Sequence, residues 1–182
     1  MNALSPLMDN LARERVWDEL CKLILLADAE DLLRFAPVIT QVIPELAPLI
    51  GFDQKNRHHI YDIYTHTAHV VAGVPATSVL RWAALLHDIG KPACFTLDET
   101  GCGHFYGHAK VSAEMANTVL HRLKAPTALR SRVVRLIELH MTPLTADKKL
   151  LRRRVAQHGF ENPVLWVYNP ITADCVDHIP HS

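Results

Sequence analysis

The sequence has little of what several protein classes require. It holds 7 Gly and 11 Pro in 182 residues and no visible repeat, which excludes a collagen-like, low-complexity or disordered chain. No apolar run reaches the ~18 residues of a membrane span, and the N-terminal MNALSPLMDN lacks a basic stretch followed by an apolar one, so neither a membrane nor a secretory route is expected. Cys21, Cys94, Cys102 and Cys175 include no C-x-x-C pair. That argues against a zinc ribbon or a disulfide lattice and fits reduced thiols in a cytoplasmic protein. The 19 basic and 19 acidic side chains cancel. The global positive field of sequence-independent nucleic-acid binders is therefore absent, leaving only a local basic face such as Arg152, Arg153 and Arg154. What the chain has in excess is histidine, twelve residues spread from His58 to His181 rather than gathered as a tag.

The length fits one globular domain, or one with a small appendage. Residues 1–56 are leucine-rich, lack His and are punctuated by Pro37, Pro44 and Pro48. The spacing of Val16, Trp17, Leu20, Leu23, Ile24 and Ala27 predicts an amphipathic helix from Arg13 to Leu26. Asp28 is a good N-cap for a second helix reaching about Ala36 and ending before Pro37. The wide apolar faces of these helices should pack on the rest of the chain or on a second copy in a homodimer.

Beyond residue 57 four apolar stripes predict helices: Ile60, Ile63, Thr67, Val70 and Val71; Val79, Leu80, Ala83, Ala84 and Leu86; Val111, Met115, Val119 and Leu123; Leu129, Val133, Leu136 and Ile137. Between the second and third, CFTL and CGHFY flank the turn-forming Asp98-Glu99-Thr100-Gly101 and predict a small hairpin. Helices are expected again around Lys148 to Gln157 and Pro163 to Tyr168. The fold class is all-α, a helical bundle with one small β-hairpin insert.

The sharpest local signal is Leu85-Leu86-His87-Asp88-Ile89-Gly90-Lys91-Pro92. A His-Asp pair after a run of apolar residues wants a cation, because buried charge is costly unless paired or bound to a metal. Alone it reads more readily as a helix C-terminus with His87 at the negative dipole end and Asp88 in water; the other histidines reverse that weighting. His66, between Ile63 and Val70, sits on a buried stripe; His140 continues the Leu129, Val133, Leu136 spacing; His108 opens the third stripe; Asp174 follows Ile171 by one helical step. Histidines from different helices joined by a His-Asp pair and a later Asp are most economically ligands converging on metal. His59, seven residues before His66, shares its face and is a candidate substrate contact. His104, on the hairpin beside Phe105 and Tyr106, either lines the mouth of the site or faces solvent. Arg152, Arg153 and Arg154 read as a solvated face that could guide an RNA phosphate.

The order His66, His87-Asp88, Asp174 resembles the HD-domain superfamily of metal-dependent phosphohydrolases, with His108 and His140 similar to its two-metal variety. GFDQKNRHHIYDIYTHT, LRWAALLHDIGKP, HFYGHAKVSAEMA and ARERVWDEL are similar to the C-terminal half of bacterial CCA-adding tRNA nucleotidyltransferases, a helical neck followed by an HD domain. The resemblance divides the chain into a neck-like region, 1–56, and an HD domain, 57–182. It implies one metal on His66, His87, Asp88 and Asp174, and a second on His108 and His140 bridged by Asp88. Imidazole-rich ligation suits Mn, Fe, Co, Ni or Zn, as one or two divalent ions. The implied activity is hydrolysis by metal-activated water of a phosphate ester, on a nucleotide, a cyclic phosphodiester or an RNA end. Asp88 and Lys91 are its catalytic residues, and Lys91 neutralises phosphoryl charge. No Gly-rich nucleotidyltransferase head with paired aspartates is in the sequence, so nucleotide addition is not expected. The competing expectation is a non-catalytic tRNA-binding or dimerising module left from a split nucleotidyltransferase.

Overall fold

The computed structural model describes residues 13–55 and 61–141. In chain order these form α1 (Arg13–Leu26), α2 (Ala29–Arg34), α3 (Ala36–Val42), a 3-10 helix (Pro44–Leu49), α4 (Ile63–Gly73), α5 (Ser78–Leu86), α6 (Lys91–Cys94), β1 (Thr96–Leu97), β2 (Gly103–His104), α7 (His108–Arg122) and α8 (Thr127–Leu139). The expected helices beyond Lys148, together with His59, Asp174 and the Arg152–Arg154 run, lie outside the described residues.

Helix α5 occupies the centre because it has no polar face to turn outward. All residues from Val79 to Leu86 are buried, and a helix that is apolar all round must be surrounded. It packs against α1, α4, α7 and α8, while α2 packs on α4 and α7 on α8. One cluster of buried side chains runs from Trp17 and Ile24 through Ile39, Ile43 and Leu46 to Val133 and Ile137. Burying a residue such as Ile24 or Ile43 completely contributes roughly 2–3 kcal/mol. The N-terminal helices are fastened by specific contacts as well. Trp17 stacks on Trp82 at 4.8 Å. The buried Arg81 guanidinium donates to the Ala27 carbonyl at 2.9 Å, closing the C-terminal end of α1. Arg122 of α7 grips Glu45 with two hydrogen bonds of 2.6 and 2.7 Å.

Side chains start three helices: Asp28 accepts from Asp31 N (2.8 Å), Asp62 from Thr65 N (2.6 Å) and Thr77 from Leu80 N (3.4 Å). The prolines act differently from the sequence expectation. Helix α2 does end before Pro37, but a new helix begins at once, with Pro37 in its first turn, and Pro44 opens the 3-10 helix in the same way. At these positions the missing N–H would have had no helical partner, so proline starts a helix at no cost. The expected stripe of α7 holds in its C-terminal half, where Val119 and Leu123 are buried, but Val111 and Met115 are only partly buried, and Ser112, Ala113, Ala116 and Leu120 are buried beside it. Small side chains win this face because α7 closely approaches the turn after α5.

That approach depends on Gly90. A Cβ there would lie 2.7 Å from Ser112 N and 2.9 Å from Ser112 Oγ, while Gly90 N itself donates to that hydroxyl at 2.9 Å. The hairpin forms as expected, Thr96 opposite His104 and Leu97 opposite Gly103. Cys94, expected in its first strand, closes the single turn of α6 instead. Gly103 allows a second close approach: its N–H donates to Lys55 O at 2.9 Å, and a Cβ would fall 2.0 Å from Gln54 O.

Two measurements check this packing. Gly90→Ala should destabilise the fold by about 1–3 kcal/mol in urea unfolding, as overpacking against backbone does. Tyr64 is buried, its hydroxyl donates to Leu32 O at 3.2 Å, and burial pushes its phenol from 10.0 up to about 12. A raised pKa in the folded state means that the stabilisation is complete below pH 10 and is lost as pH rises towards 12. Tyr64→Phe should therefore cost about 1 kcal/mol at neutral pH and flatten the decline of stability across that alkaline window, followed by circular dichroism.

Candidate metal centre

Because α5 is central, the residues that follow it are delivered into the interior. His87 is fully buried and Asp88 is 2% exposed. His66 arrives from the middle of α4, His108 is the first residue of α7, and His140 follows α8; all three are buried. Four elements thus bring four of the sequence-predicted histidines to one carboxylate. Asp88 Oδ2 lies 3.2 Å from His87 Nε2 and 3.7 Å from His66 Nε2. Asp88 Oδ1 lies 3.3 Å from His108 Nε2 and 3.7 Å from His140 Nε2. These residues make two donor groups sharing Asp88, namely His66, His87 and Asp88, and Asp88, His108 and His140. Within each group the ligand atoms lie within 4.8 Å of one another.

Three of the four imidazoles are held in one orientation by the same device. His87 Nδ1 contacts Ala84 O at 2.7 Å, His108 Nδ1 contacts Phe105 O at 2.8 Å and His140 Nδ1 contacts Ile137 O at 2.6 Å, each to the carbonyl three residues back. A carbonyl only accepts, so this network assigns the proton to Nδ1 and leaves the Nε2 lone pair facing Asp88. Two consequences favour a cation. The Nε2 of His87 is buried without a hydrogen-bond partner, since the nearby Asp88 oxygen is close but out of line. The Nε2 atoms of His108 and His140 face each other at 3.1 Å. Two lone pairs do not form a hydrogen bond, and a second proton on His140 is opposed by burial, which lowers its pKa despite the neighbouring Asp88. The donor set of imidazole nitrogens and carboxylate oxygens suits a transition-metal ion, and the other nitrogen of His87, His108 and His140 is fixed by a backbone carbonyl.

Burial works to raise the pKa of Asp88, but the Lys91 ammonium beside it works the other way, and the carboxyl is held well below its ordinary value. Lys91 is buried with its Nζ 2.8 Å from Asp88 Oδ2. A residue that sequence reasoning missed supports it: Gln54 is 2% exposed, its Oε1 accepts from Lys91 Nζ at 3.2 Å, and its Nε2 donates to Tyr61 O at 3.2 Å. Lys91 Nζ also sits 5.2 Å from the centre of the Phe105 ring. Gln54 lies in an irregular segment, where no periodicity marks a residue as inward. His104 is not brought to this centre. It lies on β2, partly exposed, with Nε2 2.8 Å from Asp98 Oδ2.

Among the described residues no helix is long and apolar enough to cross a membrane. Comparison with known proteins gives two results. The chain is 38% identical over 153 residues to an A-adding tRNA nucleotidyltransferase of Deinococcus radiodurans, covering 79% of this chain and 35% of that protein. It is 38% identical over 151 residues to a CC-adding tRNA nucleotidyltransferase of Thermus thermophilus, covering 78% and 35%. A multifunctional CCA protein of Aromatoleum aromaticum is 35% identical over 160 residues, covering 80% and 39%. The chain therefore spans little more than a third of the length of these curated relatives. A family profile described as HD domain matches residues 58–163, and with the His87-Asp88 pair at the centre of the fold the chain belongs to the HD-domain family.

Proposed function

We propose that this protein is a divalent-metal-dependent phosphohydrolase acting on a phosphate ester carried by a nucleotide, a cyclic phosphodiester or an RNA end. The observation that carries the reading is the shared orientation of His87, His108 and His140, whose Nδ1 atoms are all tied to backbone carbonyls and whose Nε2 atoms all face Asp88. In this reading His66, His87, Asp88 and Asp174 hold one ion, and His108, His140 and Asp88 hold a second. Residues 1–56 serve as a neck-like region and 57–182 as the HD domain.

Divalent metal bound there supplies Lewis acidity and water activated near neutral pH. The chain's own residues do the rest. Asp88 remains a carboxylate, so both donor groups keep their anionic member. The backbone carbonyls keep the Nε2 lone pairs of His87, His108 and His140 available. Lys91, held by Gln54 and Phe105, offers its ammonium to the phosphoryl oxygens in surroundings where a positive charge is worth more than in water. His59 and His104 are proposed as outer substrate contacts.

The names and lengths of the relatives favour one alternative, a tRNA-binding or dimerising module without hydrolytic activity. Protein purified without a nickel column should contain at least one transition-metal ion by elemental analysis and release phosphate from cyclic or linear nucleotide phosphates. Asp88→Ala should lose both the metal and the activity. Lys91→Ala should keep the metal, since it removes a cation that competes for Asp88, but turn over about 10²-fold more slowly. A wild-type protein that hydrolyses none of these esters but binds tRNA, with affinity falling steeply between two salt concentrations, would replace the first reading by the second.

A further inference from the structure

The hairpin between α6 and α7 carries another set of donor atoms, away from the Asp88 centre. Thr96 pairs with His104 and Leu97 with Gly103. Asp98 N donates to Cys102 O at 3.0 Å, extending the ladder one step. Side chains alternate between the faces of a ladder, so Thr96, Asp98, Cys102 and His104 share one face. Gly103 belongs to the opposite face, the one pressed on Gln54 and Phe95. The face with the donors therefore turns outward, and on it Asp98 is exposed while Cys102 and His104 are partly exposed. There an oxygen of Asp98, the sulfur of Cys102 and a ring nitrogen of His104 all lie within 4.8 Å of one another.

These groups are already oriented. Asp98 Oδ1 accepts from Thr100 N (2.9 Å), Thr100 Oγ1 (2.7 Å) and Cys102 N (3.0 Å), which turns Oδ2 to His104 Nε2 at 2.8 Å. Tyr106 stacks on the His104 ring at 5.2 Å and 11° and fixes its plane. Cys102 Sγ makes only a 3.9 Å contact with Gly103 O, too long to hold the thiol. One carboxylate, one thiol and one imidazole form the mixed donor set that zinc accepts and that magnesium and calcium do not. Ligand atoms around tetrahedral zinc stand about 3.3–3.8 Å apart, so the Asp98–His104 contact has to open by no more than about 1 Å.

We propose that Asp98, Cys102 and His104 form a zinc site on the outer face of this hairpin, with water in the fourth position, distinct from the Asp88 centre. On binding, the Cys102 thiol gives its proton to solvent, the neutral His104 ring carries its proton on Nδ1 and turns the Nε2 lone pair to the ion, and bonds to the ion replace the Asp98–His104 hydrogen bond. No electron is transferred, and affinity rises with pH. The hairpin connects the helix of Lys91 to His108, whose Nδ1 is tied to Phe105 O. Zinc therefore acts as a staple on the segment that carries both.

Cobalt(II) titration of the full-length, chelator-treated and reduced protein tests the site, because only a thiolate ligand gives a sulfur-to-cobalt charge-transfer band. The band should saturate with one ion, be discharged by zinc, and disappear in Cys102→Ser. It should survive in Cys21→Ser, Cys94→Ser and Cys175→Ser, and also in Asp88→Ala, so failure of the Asp88 centre and failure of this site are read separately. Asp98→Asn and His104→Gln should weaken cobalt binding at this site at least about tenfold. A cobalt-loaded wild-type protein without the band, or a band that persists in Cys102→Ser, would overturn the assignment.

Discussion

Everything at the centre of this protein is arranged around one buried carboxylate. Asp88 is 2% exposed, and an isolated carboxylate at that depth would be protonated or would unfold its surroundings. It is kept ionised by the Lys91 ammonium at 2.8 Å, and the Nε2 atoms of four imidazoles stand 3.2–3.7 Å from its two oxygens. The obligation runs both ways. The Nε2 lone pairs of His87, His108 and His140 have no donor to face, and the Asp88 oxygens divide among them in two groups. Such an arrangement is deficient in positive charge at two points, beside His87 and between His108 and His140, which is the electrostatic description of a site for cations.

The apolarity of α5 makes this possible. A helix with a polar face would lie on the surface and present its C-terminal residues to water, where a His-Asp pair is commonplace. Trp82, Ala83, Ala84, Leu85 and Leu86 leave no such face, so the pair emerges among α4, α7 and α8. Gly90 then lets the turn pass against Ser112, and Lys91 returns towards Asp88 within one further residue. Packing and chemistry are here the same constraint: the small residues on α7 serve the approach of Gly90, and that approach brings α6 and Lys91 back over the carboxylate.

Helical periodicity is encoded locally, so the pattern of α5 and the inward phase of His66 and His140 are legible in the sequence, and the resemblance of HDIGKP to the HD family rests on contiguous residues. The buried face of α7 is not legible in the same way. Periodicity counts large apolar side chains and does not anticipate that Ser112, Ala113 and Ala116 are needed for a close crossing. Pro37 looks like a break in the sequence because its position relative to a helix start depends on where the preceding chain turns. Gln54 is invisible for a different reason: its partner Lys91 is 37 residues away, and an irregular segment carries no phase from which burial could be inferred.

The hairpin insert shows how a small element can matter to the interior. Its strands are two residues each, too short to be stable alone, so its shape rests on the Asp98 turn, on Gly103 lying against the Gln54–Lys55 backbone, and on the contacts among Phe52, Phe95 and Phe105. The same Gln54 and Phe105 hold Lys91, and the Phe105 carbonyl orients His108. A change in the order of the hairpin therefore reaches the ammonium through two side chains and the imidazole through one hydrogen bond. The route is short and consists of direct contacts, so the order of the hairpin bears on where Lys91 and His108 stand at the buried centre.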